Sequence, residues 1–166
     1  MPELIQSPRL QFSLLEMADA DEVFKCITPA ITTFMPWEPP VSFSEYKAQL
    51  EKRLRAKKPY DFSFVIRLRN NMECVGLASL EDTHTASPEL GLWLKETAQR
   101  HGYGRETVEA IAQWACSTLG KEGFIYPVAV QNMRSRRIAE AFHGEIIGTR
   151  TNPKYDSVVY KIPWKA

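Results

Sequence analysis

A chain of 166 residues is long enough to bury a core around a sheet and fits one domain spanning residues 1–166. Hydrophobic residues make up 44% and charged residues 25%, and no run approaches the ~20 apolar residues of a membrane span, so a soluble globular protein is expected, with no membrane partner. Lys and Arg total 21 against 20 Asp and Glu, and the resulting charge of +1 supplies no field for a nucleic-acid backbone.

Met1 to Gln6 carries no basic and apolar leader pattern, so a cytoplasmic address is expected. Arg9 to Glu16 alternates as a strand does, and Asp19 with Glu22 resembles a capping box ahead of Val23, Phe24 and Ile27. Thr33 to Pro40 holds three prolines, which exclude regular helix and leave an aromatic-rich loop. Ser42 with Glu45 then opens a second helix, with Phe43, Tyr46, Leu50 and Leu54 on one face. The basic run Lys52, Arg53, Arg55, Lys57 and Lys58 falls at its end, where the helix dipole favours cations. Phe62 to Leu68, an Asn70-Asn71 turn and Glu73 to Leu80 read as a hairpin, and Pro88 to Leu94 as the next strand. A helix from Gly104 to Gly120 buries Val108, Ile111, Ala112, Ala115 and Leu119. A strand at Phe124 to Val130, a helix at Arg134 to Phe142 and strands at Glu145 to Thr149 and Ser157 to Ile162 complete an α/β order, with helices covering a mixed sheet. Pro127 removes a ladder donor from its strand, which fits either a strand splayed from a neighbour or a plain edge strand.

Three cysteines, Cys26, Cys74 and Cys116, lie far apart in the sequence without C-x-x-C spacing and read as reduced thiols. His84, His101 and His143 are too scattered for a metal site, so no metal is expected. The chemistry concentrates instead in Glu89-Leu90-Gly91-Leu92-Trp93-Leu94, then Gln99-Arg100-His101-Gly102-Tyr103-Gly104 and the long helix. A strand-to-helix turn of this kind aims unpaired N–H groups and the positive end of the helix dipole at one point, and its glycines let a phosphate come close. Two glycines alone would equally serve a simple turn.

The pattern Q-x-x-G-x-G opening a helix after a strand resembles the acetyl-CoA pyrophosphate loop of the GNAT superfamily. Asn132 to Glu140 contains N-x-x-S-x-R, similar to the start of the next helix in the ribosomal-protein N-terminal (Rim-type) acetyltransferases of that superfamily. Ser7-Pro8-Arg9-Leu10, Asp19-Ala20 and Phe34 to Trp37 also resemble that branch. The resemblance implies the GNAT acyl-CoA N-acyltransferase fold, with a mostly antiparallel central sheet flanked by helices. It implies acetyl-CoA as co-substrate, a homodimer as is common in the branch, and an N-acetyltransferase activity. It assigns Gln99, Arg100, His101, Gly102, Tyr103 and Gly104 to the pyrophosphate, with Arg105 adding charge. Backbone groups of Leu92, Trp93 and Leu94 and the side chain of Asn132 would hold the pantetheine arm.

The transfer needs a neutral amine, a nearby thioester and a donor for the departing thiolate. Ser135 stands one helical turn from Asn132 and is the candidate donor, because Ala139 stands where many GNAT enzymes carry a tyrosine acid. Glu89 is the candidate base, acting directly or through water. The loop Asn152 to Asp156 lacks the glutamate that some relatives carry there. Phe34, Met35, Trp37 and Glu38 either line the acceptor cleft, with Glu38 attracting an ammonium, or plug the end of the sheet. At pH 7, deprotonating an α-amine costs roughly 1.4 kcal/mol and a lysine roughly 4.6 kcal/mol. A lone carboxylate therefore suits a protein or peptide N-terminus. A small amine such as a polyamine, aminoglycoside or amino-acid derivative, and a non-catalytic acyl-CoA-binding module, remain alternatives.

Overall fold

The computed structural model describes residues 4–165; of the opening stretch read for a leader, residues 1–3 lie outside them. Strands β1 (Ile5–Gln6), β2 (Leu10–Leu14), β3 (Phe62–Leu68), β4 (Cys74–Glu81), β5 (Glu89–Leu94), β6 (Gly123–Ala129), β7 (Glu145–Thr151) and β8 (Asp156–Pro163) form one sheet in the order β1-β2-β3-β4-β5-β6-β8-β7. Every neighbouring pair is antiparallel except β5 with β6, which run parallel.

Helices α1 (Ala20–Cys26), α2 (Pro29–Thr32) and α3 (Phe43–Ala56) come between β2 and β3. Helix α4 (Tyr103–Leu119) joins β5 to β6, and α5 (Met133–Ala141) joins β6 to β7. The alternation of strand side chains builds two cores. Leu80, Leu90, Phe124 and Tyr126 meet Val108, Ile111 and Ala115 of α4 and Ala139 of α5. On the opposite face, Val65 and Leu77 meet Val23 of α1 and Tyr46 and Leu50 of α3. Ser42 caps α3 as its spacing predicts, accepting from Glu45 N at 3.1 Å, while Glu45 reaches back to Val41 N at 2.9 Å.

Several elements differ from the sequence reading. The capping box is Glu16 with Asp19 rather than Asp19 with Glu22. Arg67 explains the shift: nearly buried on β3, it donates to Asp19 Oδ1 at 2.9 Å and to both Glu22 oxygens at 2.9 and 3.1 Å, so both acids satisfy a buried cation. Thr28 to Thr32 contributes the short helix α2, with Pro29 in its first turn, where a missing N–H costs nothing. Strand β7 runs two residues beyond Thr149 because Arg150 and Thr151 pair with Ser157 and Asp156. Cys26 and Cys74, distant in sequence, meet in the second core with their sulfurs 3.9 Å apart.

Candidate active site

Strands β5 and β6 touch at one register pair, Glu89 with Ile125, beside a bond from Ile125 N to Pro88 O of 2.8 Å. The next donor on that side of β6, two residues on, would be residue 127, and Pro127 has no N–H to give. The other side of β6 is fully paired with β8, Pro127 opposite Val159. Pro127 therefore lies in an interior strand at the point where the parallel ladder ends and the strands part. Alternation along β5 turns the backbone groups of Leu92 into this gap, on the side where Leu94 O accepts from the Gln99 amide at 3.0 Å.

The gap is the inner end of a cleft of about 1060 Å³ that passes through the sheet. Leu92, Trp93, Tyr126, Asn132 and Ser135 line it together with the acceptor-side candidates Phe34, Met35, Trp37, Glu38 and Glu89. Residues 99–105 stand outside it, beyond Leu94, where α4 begins. There Arg100 and Gly102 take left-handed backbone angles, φ 68° and 81°. Gly102 accommodates this freely, and the turn faces the N–H groups of Tyr103, Gly104 and Arg105, which have no acceptor one helical turn earlier, out of the helix end. A Cβ on Gly104 would stand 2.9 Å from Ile138 Cδ1, so glycine lets the first turn of α4 close on α5. The loop is braced on both flanks. Arg134 of α5 donates to Gln99 Oε1 at 2.6 Å, and Arg9 donates to His101 O at 2.9 Å while lying 4.5 Å from the Tyr103 ring centre. Arg105, expected to add charge, packs 5.4 Å from the Phe142 ring centre, and His101 stacks on Tyr103.

Asn132 caps α5, its Oδ1 accepting from Ser135 N at 3.3 Å, which leaves its amide NH₂ for the cleft. Ser135 Oγ lies 2.7 Å from Tyr126 Oη of β6. Burial pushes the Tyr126 phenol up to about 12, partly offset by this bond. The sequence reading missed Tyr126; strand alternation beside Pro127 was the signal that would have turned it toward α5.

On the acceptor face, Glu89 Oε1 pairs with Arg150 Nη1 at 2.9 Å, and across the β4–β5 register Glu89 faces Glu81. Glu81 makes no ion pair among the described residues. Its tip stays open to water through the cleft, yet the protein around it, followed by the charges of Glu89 and Asp61, raises its pKa above the usual carboxylate value. Trp37 stands edge-on to Trp93, ring centres 6.3 Å apart. Glu38 is already paired with Lys154 Nζ at 2.8 Å, and the same ammonium donates to Thr32 O at 2.7 Å and Trp37 O at 3.0 Å. The short loop that lacks a glutamate thus supplies a clamp on the aromatic segment. Among the described residues, no three His, Cys, Asp or Glu side chains stand together to hold a metal, and no helix is long and apolar enough to cross a membrane.

No curated protein matches the sequence. Solved structures share the fold at low identity. An acetyltransferase (GNAT family) from Bacillus anthracis superposes with TM-score 0.81 at 18% identity, covering 97% of this chain and 98% of its own. A Salmonella typhimurium acetyl transferase that modifies the N-terminal serine of 50S ribosomal subunit protein L7/L12 gives TM-score 0.80 at 16%, covering 98% of this chain and 100% of its own. Spermidine N-acetyltransferase from Vibrio cholerae, in complex with CoA and spermine, gives 0.78 at 18%, covering 95% and 96%. The family model described as acetyltransferase (GNAT) domain matches residues 9–145, which with the parted strands and the glycine turn at α4 places the chain in the GNAT acetyltransferases, enzymes that use acetyl-CoA.

Proposed function

We propose that the chain transfers the acetyl group of acetyl-CoA to the N-terminal α-amine of a protein or peptide. The observation that carries this reading is the cleft, which has carboxylates at its acceptor end and the Ser135 hydroxyl at its inner end. The turn at Gln99 to Arg105 receives the pyrophosphate, and the Leu92 backbone and the Asn132 amide receive the pantetheine arm. The amine lone pair attacks the thioester carbonyl carbon, so that the C–N bond forms as the C–S bond breaks. One proton leaves nitrogen for Glu89, directly or through water. Arg150 engages one Glu89 oxygen and leaves the other free to meet the amine or a bridging water. The thiolate sulfur accepts a hydrogen bond from Ser135 and takes up a proton from solvent as CoA leaves.

An α-amine of pKa about 8 asks less of a single carboxylate at pH 7 than a lysine of about 10.4. Phe34, Met35 and Trp37 would grip the first side chains of the acceptor, and Glu38, held by Lys154, is available at the rim. A second reading has its own support: Glu38, Glu45, Glu81 and Glu89 border the cleft against Arg53 and Arg150, an acidic excess that fits a small polyamine.

Release of CoA from acetyl-CoA separates the two readings, using peptides with free Ser or Ala N-termini, spermidine, and an aminoglycoside as acceptors. Turnover with peptides alone supports α-amine acetylation, and turnover with the small amines alone replaces it. In either case E89Q is expected to lower kcat/KM at pH 7 by at least tenfold, and unchanged turnover would remove Glu89 from the mechanism.

A further inference from the structure

We propose that Tyr126 is a positioning residue for acetyl transfer: its phenol donates to Ser135 Oγ and so commits the serine's single proton to the cleft, where the CoA sulfur departs. The inference rests on the acetyl-transfer reading above and assigns a role to a residue outside the sequence motifs.

Tyr126 is 2% exposed and sits in the core between β6 and the α4–α5 layer. Among the described residues Ser135 Oγ is the one hydrogen-bond partner of its hydroxyl, at 2.7 Å. Each of the two hydroxyls carries one proton. If serine donated to tyrosine, the phenolic proton would be left without an acceptor in an apolar core, a cost that buried hydroxyls avoid. Donation from tyrosine to serine satisfies the buried group and turns the serine proton toward the cleft that both residues line. Because burial pushes the phenol up to about 12, the donor stays protonated through neutral pH.

Nothing else on α5 fixes that proton. Asn132 Oδ1 engages the Ser135 backbone N–H rather than its hydroxyl, and residue 139, one turn further, is a fully buried alanine. A serine in the first turn can otherwise bend back to the N-cap carbonyl three residues earlier, here that of Asn132, which would point its proton away from the cleft. The phenol holds it out of that alternative.

The test compares the full-length wild type with Y126F, S135A, the double variant and S135T, using acetyl-CoA and the best acceptor. Acetyl-CoA affinity is measured by calorimetry and integrity by thermal melting. Y126F is expected to lower kcat about fivefold, the worth of one hydrogen bond. KM for the amine and Kd for acetyl-CoA should stay within twofold of wild type, and the loss should be uniform from pH 6 to 9. The double variant should be no slower than S135A. S135T, which leaves Tyr126 intact and keeps a hydroxyl on it, should retain turnover within threefold. Wild-type turnover in Y126F, or losses that multiply in the double variant, would overturn the inference while leaving acetyl transfer intact. If Y126F melts too low to assay, equal rates for S135A and S135T would still overturn the inference, because the serine hydroxyl would then have no part in transfer for Tyr126 to direct. A wild type that binds acetyl-CoA but acetylates no acceptor would fail the functional reading and the inference together.

Discussion

Two glutamates side by side on neighbouring strands tend to repel, and Glu81 with Glu89 is such a pair, relieved on one side by Arg150. Burial first, and Glu89 next, raise the Glu81 pKa. An acid whose pKa is raised on folding favours the fold at low pH and loses that contribution as pH rises through its folded value. E81Q is therefore expected to melt about 1–2 °C above wild type at pH 7, a small gain because the group is open to water. The difference should vanish below pH 4, and an equal gain at both pH values would show that it does not come from the Glu81 charge. Lys154 makes a second residue-scale prediction. K154M removes one charge and three bonds from the Thr32 to Glu38 segment, so KM for the amine should rise several-fold while acetyl-CoA affinity stays put. Glu38 and the aromatics were visible in the sequence as candidates. Lys154 and Arg150 were not, because each acts through a partner far along the chain, and Glu81 was not, because the pairing of β4 with β5 is what sets it opposite Glu89.

At the scale of elements, most of the order was legible because the periods of two and 3.6 residues are local properties. Strand β5 and helix α4 follow the pattern from Glu89 onward, and the cap of α3 is where Ser42 and Glu45 put it. Three features depended on contacts the sequence does not display: the diversion of Asp19 and Glu22 to Arg67, the short helix α2, and the extension of β7 that delivers Arg150. Pro127 shows the same limit. A missing donor was legible, but whether the strand was marginal or interior depended on β8 arriving from the end of the chain. The α4–α5 junction offers a direct test. G104V would drive a branched side chain into Ile138 and move the first turn of α4, costing roughly 1–3 kcal/mol of stability. Acetyl-CoA affinity should fall at least tenfold, and wild-type affinity would show that this turn does not hold the pyrophosphate.

Across the whole molecule, the parallel junction divides the sheet into two leaves, β1 to β5 and β6 with β8 and β7, stitched by the Glu89–Ile125 pair and bridged by α4. A pantetheine arm lying along Leu92 would complete the missing rung. Ligand at a hundred times its Kd stabilises the folded state by about 2.7 kcal/mol, and for a chain of this size that is a rise in melting temperature of about 5–10 °C. The slowed amide exchange should concentrate in the strands bordering the gap rather than spread evenly. Were acetyl-CoA to fill that rung, occupancy and cohesion would be a single quantity, and the melting curve of this protein would itself be a gauge of how much acetyl-CoA surrounds it.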